Sequence, residues 1–264
     1  MGLLPAQSSL MVELPSTDPF CSFRSRWRGW LGPTLLSALL LLSGTPRLPA
    51  EEPTQQEWIV ISGGPALRFF EHGKADSHDK YWGNFIRAAV ARLDQLKLQA
   101  EGKPGITITW LVYRPAYASR SREEKLDILS VIVEQANALK LPLYWFDTTG
   151  QLINYLNAGH DRKVIPIGAL DYFGHSNRAC LMFDYSTYFD NMSKGYLHEK
   201  DLRRIERKAF LRRAVVKSWG CHTGEDFSLW WKRRFGVPMV GAVGRTDYAT
   251  ASLPYLSKGA KWTQ

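Results

Sequence analysis

Short apolar strands alternate with longer amphipathic helices through most of this chain. The run ITITWLVY at Ile106–Tyr113 is rich in the β-branched and aromatic residues that favour strands. Between residues 81 and 98, apolar side chains recur at helical spacing. Helices between successive strands provide the crossovers that parallel pairing needs. The sequence therefore predicts an α/β fold, a three-layer sandwich around a mostly parallel six-stranded sheet.

The alternation predicts the following elements. The strands are expected over residues 57–62, 106–113, 141–146, 163–172, 214–219 and 237–243. The helices are expected over residues 81–98, 121–139, 150–157, 197–212 and 226–235. Ser121, followed three residues later by Glu124, is a candidate helix N-cap.

The first fifty residues have a different pattern. Arg24, Arg26 and Arg28 precede an apolar run over residues 30–42, and Ala50 stands just before two acidic residues. This order predicts a signal peptide with an extended n-region over residues 1–50 and a single exported domain, periplasmic or extracellular, over 51–264. An uncleaved N-terminal membrane anchor is the alternative. No later apolar stretch approaches 18 residues, so we expect no integral membrane segment after signal cleavage.

Composition limits the class of protein and its partners. Apolar residues make up 45% of the chain, too many for a disordered protein, and three cysteines are too few for a disulfide-stapled one. The net charge is +9, but residues 1–50 account for +2 of it, and much of the rest falls within residues 197–213, interleaved with acids. That pattern is typical of a solvated helix face. We therefore expect no nucleic-acid partner. The alternative is that the basic residues bind anionic lipid or a cell-wall polymer. The sequence does not determine the oligomeric state.

The residues that follow two of the predicted strands carry reactive groups. His175 lies in FGHSN after the fourth strand, and Cys221 lies in SWGCHTG after the fifth. The carboxyl ends of parallel strands share one edge of a sheet, so these side chains are expected to lie close together. An imidazole can take the thiol proton and leave a nucleophilic thiolate. Gly174 and Gly220 allow tight turns and leave backbone N–H groups free for a developing oxyanion.

This pattern resembles the caspase-like cysteine peptidases, which include caspases, metacaspases, legumains, gingipains and separases. The resemblance is carried by VIPIGALDYFGHSN, by the predicted helix LHEKDLRRIERKAFL, by AVVKSWGCHTGED and by FGVPMVGAVGRTDY. It implies a hydrolase of peptide or amide bonds that acts on a peptide or protein and needs no cofactor. It also implies that Cys221 is the nucleophile, that His175 is the general base, and that the backbone N–H of Cys221 and one beside His175 bind the oxyanion. The family usually has glycine where this chain has Ser176, which makes an inactive caspase-like binding domain the alternative.

Two further interpretations of the same residues stay open. Gly174–Arg178 nearly matches the G-x-S-x-G turn of serine hydrolases, which would make Ser176 the nucleophile. In an oxidising compartment Cys180 and Cys221 could instead form a disulfide, which would remove the thiol chemistry.

Polar residues on neighbouring loops are candidates for lining the substrate cleft. The loop after the first strand, FEHGKADSHDKYWG, is rich in His and carboxylates, but its histidines lack a recognised zinc spacing, so we expect no metal site. The candidate cleft residues are Asp76, His78, Asn177, His222 and Arg245.

Overall fold

The computed structural model describes residues 54–66, 80–184, 195–250 and 252–263. The signal peptide predicted for residues 1–50 lies outside these ranges, and so do Asp76 and His78. No helix within the ranges is long and apolar enough to cross a membrane.

Within these ranges the chain forms five α-helices, thirteen β-strands and two 3₁₀ segments. The helices are α1 (Asn84–Ala100), α2 (Arg114–Glu124), α3 (Ile128–Leu139), α4 (Thr149–Ala158) and α5 (Phe227–Phe235). The strands are β1 (Gln56–Ser62), β2 (Ile106–Tyr113), β3 (Leu143–Phe146), β4 (Ile167–Phe173), β5 (His175–Ser176), β6 (Cys180–Met182), β7 (Tyr196–His198), β8 (Phe210–Ser218), β9 (Met239–Val240), β10 (Ala242–Val243), β11 (Thr246–Asp247), β12 (Tyr255–Leu256) and β13 (Lys261–Trp262). The 3₁₀ segments are Glu199–Arg204 and Arg207–Ala209.

Six of the strands form one central sheet. Their order is β3-β2-β1-β4-β8-β9, and every neighbouring pair is parallel. The predicted α/β sandwich around a six-stranded sheet is therefore confirmed, and its layout is consistent with a caspase-like arrangement. Strands β4 and β8 are direct neighbours, which brings the segments that follow them to one edge of the sheet.

Two apolar layers cover the two faces of this sheet. On β1, Ile59 and Ile61 join the layer that contains α4 and α5, and Val60 joins the layer that contains α1 and α3. The alternation follows from the two-residue period of a strand. Trp110 is fully buried in the second layer, where its indole N–H donates to the Ser62 hydroxyl at 3.0 Å.

The helix predicted for residues 197–212 is wrong. The chain there forms the end of β7, the two 3₁₀ segments and the start of β8. The Arg234 guanidinium on α5 donates to the carbonyl groups of Leu202 and Ile205, at 3.1 and 2.6 Å. Because a side chain from another element satisfies these carbonyls, the segment does not need the amides of an α-helix.

The helix predicted for residues 121–139 is two helices. Lys125 ends α2 in the left-handed conformation, with φ of 54°. Asp127 begins α3, and its carboxylate accepts the Ser130 N–H at 3.1 Å. Ser121, the predicted N-cap, lies inside α2, and its hydroxyl accepts the Ile128 N–H at 3.2 Å.

Two small sheets follow the ends of the central strands. Strands β5, β6 and β7 form an antiparallel sheet directly after β4, and this sheet contains His175 and Cys180. The predicted strand 237–243 is divided, because β9 joins the central sheet and β10 pairs antiparallel with β13. The candidate catalytic residues therefore lie where the central sheet meets these smaller sheets.

Candidate active site

The segments that follow β4 and β8 are in direct contact. Tyr172 and Ser218 are register partners near the ends of the two strands. Beyond them, the Ser176 hydroxyl donates a hydrogen bond of 2.7 Å to the backbone carbonyl of Cys221. The structure thus joins the segment that contains His175 to the segment that contains Cys221.

Gly220 allows this close approach because it has no side chain. A Cβ at Gly220 would lie 2.1 Å from the Ser176 hydroxyl oxygen and 2.8 Å from the Gly174 carbonyl oxygen. Gly174 is restricted in the same way, since its Cβ would lie 2.3 Å from the Tyr172 hydroxyl. That hydroxyl donates to the carbonyl of His175 at 2.7 Å, which ties the end of β4 to β5.

The Cys221 sulfur lies against Thr246 on β11. The backbone N–H of Thr246 donates to Sγ at 3.4 Å, and the Thr246 hydroxyl oxygen lies 3.6 Å from Sγ. The same hydroxyl donates to the Trp219 carbonyl at 2.8 Å, so its orientation is set by the strand that leads to the cysteine. A backbone N–H directed at sulfur interacts more favourably with a thiolate than with a neutral thiol.

The backbone N–H groups beside Cys221 have different partners. The N–H of Gly220 donates to the Ser218 hydroxyl at 3.3 Å. The N–H of Cys221 has no hydrogen-bond partner in the part of the chain that the structure describes. The backbone N–H of Cys221 is therefore available to an oxyanion, as an acyl-transfer site requires.

The His175 ring is half-buried and lies beside an aromatic group of α1. Its centroid is 4.9 Å from that of Phe85, and the two rings are perpendicular. Tyr248 meets Phe85 in a similar edge-to-face contact at 4.9 Å, and its hydroxyl donates to the Trp219 carbonyl at 3.0 Å. Burial raises the pKa of Tyr248 well above its ordinary value. The Tyr248 phenol is consequently neutral, and its role is structural, since it packs against Phe85, which contacts His175.

Cys180 and Cys221 do not form the disulfide that the sequence left open. Both are free thiols. Cys180 is 5% exposed, and burial raises the pKa of its thiol to about 11. Its Sγ lies 3.3 Å from the Asn177 side-chain oxygen, which also accepts the backbone N–H groups of Ala179 and Cys180. Asn177, a predicted cleft residue, thus stabilises the turn between β5 and β6.

His222 belongs to a polar cluster centred on Glu225. His222 has a φ of 61°, and its Nδ1 lies 2.6 Å from the Glu225 carboxylate. The same carboxylate accepts the Gly244 N–H at 3.2 Å and pairs with Arg178 at 3.3 Å. The hydrogen bond from His222 is the main reason why the pKa of Glu225 lies below its ordinary value. Glu225 therefore connects the Cys221 loop, the β5–β6 turn and the loop before β11.

The remaining predicted cleft residues are spread more widely. Arg245 is exposed beside Thr246, and its carbonyl accepts the Ser257 N–H at 3.0 Å. Asp76 and His78 lie outside the described residues. Among the residues that are described, no group of three or more His, Cys, Asp or Glu side chains could hold a metal ion.

Sequence reasoning did not identify Phe85, Thr246 or Glu225 as parts of this site. Phe85 lies within the helix predicted for residues 81–98, and Thr246 lies within FGVPMVGAVGRTDY, where the resemblance singles out no residue. Glu225 stands four residues after Cys221, at the end of AVVKSWGCHTGED, but carboxylates near a helix start are common at N-caps. The contacts of all three are long-range or depend on loop geometry, which residue patterns do not report.

Comparison with models of known protein families, with curated proteins and with solved structures finds no match to this chain.

Proposed function

We propose that this chain is an exported cysteine hydrolase with a caspase-like fold, which cleaves a peptide or amide bond in a peptide or protein substrate. Cys221 is the nucleophile and His175 is the general base. The observation that carries the proposal is the hydrogen bond between Ser176 and Cys221, which holds the β4 and β8 segments together at the carboxyl edge of the sheet. Chemistry in parallel α/β sheets gathers at that edge.

The reaction follows from the roles of the two side chains. His175 takes the Cys221 thiol proton, and the thiolate attacks the carbonyl carbon of the scissile amide. A C–S bond forms while the carbonyl π pair moves to oxygen, where the Cys221 N–H stabilises it. The imidazolium protonates the leaving nitrogen, and the C–N bond breaks. Water then gives a proton to His175 and attacks the thioester carbonyl. The C–S bond breaks, the acid is released, and the imidazolium returns its proton to sulfur, which restores the thiol and the base.

The environment of Ser176 favours a cysteine nucleophile over a serine nucleophile. The Ser176 hydroxyl already donates its proton to the Cys221 carbonyl at 2.7 Å. A nucleophilic serine needs that proton to be directed at a base. Cys221 by contrast is a free, half-buried thiol that accepts a backbone N–H. These contacts support Cys221 as the reactive group and Ser176 as a structural one.

A binding domain without catalysis is the second candidate. The observation that favours it is the position of Ser176, whose side chain contacts both Gly220 and Cys221 at the point where related enzymes have glycine. Such a side chain narrows the space for an oxyanion. The two candidates differ in one measurable property, the reactivity of the Cys221 thiol.

Alkylation by iodoacetamide, mapped by mass spectrometry, tests the proposal without knowledge of the substrate. At about pH 6 we expect Cys221 to react at least tenfold faster than an ordinary thiol, because His175 acts as the base that takes its proton. In His175→Ala this advantage should disappear at about pH 6, whereas near pH 10, where thiols ionise without a base, Cys221 should react at similar rates in the variant and in the unaltered protein.

Cys180 provides the internal control for this experiment. Its burial and its pKa of about 11 should keep it unmodified until the protein is unfolded. Hydrolysis of a fluorogenic peptide library by the Cys180→Ala variant and its absence in Cys221→Ala would then support the enzyme. If Cys221 reacts at the ordinary rate and His175→Ala changes nothing, the catalytic proposal fails and the binding domain is favoured.

Export has a separate test. Expression of the full chain in a host with a secretory pathway should yield a secreted product that begins near Glu51, as measured by mass spectrometry of the intact protein. A membrane-bound product that retains residues 1–50 would support the anchor instead.

A further inference from the structure

A cleft of about 700 Å³ opens at the amino-terminal end of β4 and β8. These strands start there as register partners, with Ile167 opposite Phe210. The proposed catalytic residues follow the other ends of the same strands, so the cleft lies at the opposite edge of the sheet. Its volume is in the range of pockets that hold small organic molecules.

The rim of the cleft is basic. Lys163, Lys208 and Arg212 line it, and all three are exposed. In the described part of the chain, none of these three side chains forms an ion pair. We call these three residues the basic rim.

Two acidic residues also line the cleft. The Asp161 carboxylate accepts the backbone N–H of Lys163 at 3.0 Å, so one of its oxygens is occupied by a hydrogen bond within the turn that contains Lys163. Glu206 is exposed, and its N–H donates to the Asn157 side chain at 2.9 Å. The two acidic residues are fewer than the three cations of the basic rim, so they reduce the positive charge of the cleft without cancelling it.

The deeper wall of the cleft is electrically compensated. Arg162 is buried and pairs with the fully buried Glu57 at 2.6 Å. Arg162 also donates to the carbonyls of Leu156 and Tyr155 at 2.9 Å, so its donors are occupied by the protein. His160, which lines the cleft, lies 3.5 Å from the same Glu57 carboxylate. The charge open to a ligand therefore lies on the rim.

The remaining lining is apolar. Phe210 is buried, Leu211 packs against the core, and Pro166 is buried. A ligand that fits such a cleft would place an apolar body against this lining and an anionic group at the rim.

We propose that this cleft binds a small organic anion that combines an aromatic or aliphatic body with a phosphate, sulfonate or carboxylate group. Lysine ammonium and arginine guanidinium groups provide charge-assisted hydrogen bonds to such oxyanions. Binding in this cleft does not depend on Cys221, so this proposal is independent of the proposed hydrolase activity.

Two fluorescent probes with similar aromatic bodies test the proposal. The anionic probe 8-anilinonaphthalene-1-sulfonate should bind the full chain more tightly than neutral N-phenyl-1-naphthylamine, and its affinity should fall as salt is added. In the triple variant Lys163→Gln, Lys208→Gln, Arg212→Gln the affinity for the anionic probe should fall about tenfold or more. The affinity for the neutral probe should stay unchanged.

A matched variant removes the same number of exposed cations elsewhere, namely Lys103→Gln, Arg122→Gln and Lys258→Gln. It should bind the anionic probe as the unaltered protein does, which separates the cleft from net charge. Circular dichroism melts of both triple variants establish that they fold.

Competition identifies the anionic group. Displacement of the bound probe by phenyl phosphate or by octanoate supports the site and distinguishes a phosphorylated aromatic ligand from an aliphatic carboxylate. The proposal is overturned if neither compound competes at about 10 mM, a concentration that detects weak binding. It is also overturned if the two triple variants weaken the anionic probe equally.

Discussion

The hydroxyl of Ser176 donates to the carbonyl of Cys221 across 2.7 Å. The residue that departs from the caspase-like pattern therefore connects the two catalytic segments of the proposed site. Ser176 is not among the described residues with positive φ, so the backbone after His175 does not need glycine. The Ser176 side chain thus holds the two segments together, and in the proposed reaction His175 and Cys221 form the reactive pair.

Ser176→Ala should weaken the site without abolishing it. Loss of one hydrogen bond costs about 0.5–1.5 kcal/mol, and the alkylation rate of Cys221 should fall by severalfold. The measurement is the iodoacetamide rate at about pH 6, together with the free energy of unfolding. Complete loss of hydrolysis in this variant, with Cys221→Ala still active, would show that Ser176 is the nucleophile.

Gly220→Ala should separate the two catalytic segments. The new Cβ would meet Ser176 Oγ at 2.1 Å and the Gly174 carbonyl at 2.8 Å, so backbone must move. We expect a loss of about 1–3 kcal/mol in unfolding free energy and slower alkylation of Cys221. Gly150→Ala in α4 is the control, since its Cβ would have no neighbour closer than 3.6 Å and alanine favours a helix by about 0.5–1 kcal/mol. Equal effects of the two substitutions would contradict the close approach.

Arg162→Ala should be strongly destabilising. It would leave the fully buried Glu57 carboxylate without its cationic partner, which lies at 2.6 Å. Removal of one member of a buried pair costs about 3–5 kcal/mol, measured as the free energy of urea unfolding.

The control for this pair is Arg114→Ala. Arg114 donates to Asp147 at 2.8 Å on the surface, where an ion pair contributes about 0–1 kcal/mol. In the double variant Glu57→Gln, Arg162→Met part of the lost stability should return, because no unpaired charge remains. A surface-like cost for Arg162→Ala would show that Glu57 is solvated.

Glu225 should contribute a pH-dependent stability to the site. Its pKa is lowered, first by the hydrogen bond from His222, so its contribution is present above the unfolded pKa of about 4.3 and is lost as pH falls below it. Glu225→Gln should therefore lower Tm at about pH 6, and the difference from the unaltered protein should shrink as the pH is lowered towards about 3.

The exposed residue Glu134 provides the matched control for this measurement. Glu134→Gln should leave Tm nearly unchanged across the same pH range, because surface substitutions usually have small effects. A Tm difference for Glu225→Gln that is constant between about pH 6 and pH 3 would contradict a role for the carboxylate charge.

Much of the fold follows from local sequence pattern. Residues 106–113 form the predicted strand without change, and β1, α1 and α4 differ from their predicted bounds by a few residues. The two strands are continuous apolar runs that are buried on both faces of the sheet, and the helices have apolar side chains at helical spacing, so local pattern is decisive in these segments. The helix predicted for residues 197–212 is wrong, because Arg234, about 30 residues later in the chain, donates to backbone carbonyl groups of this segment.

The sequence by itself determined the class of the fold and the two strand ends that carry His175 and Cys221. Only the tertiary structure decided what surrounds them. Thr246 reaches the Cys221 sulfur from 25 residues away, and the basic cleft combines two loops with the start of β8. Strand pattern is a local property of the chain, whereas these contacts depend on the order of strands in the sheet and on the loops that connect them, which apolar periodicity does not encode.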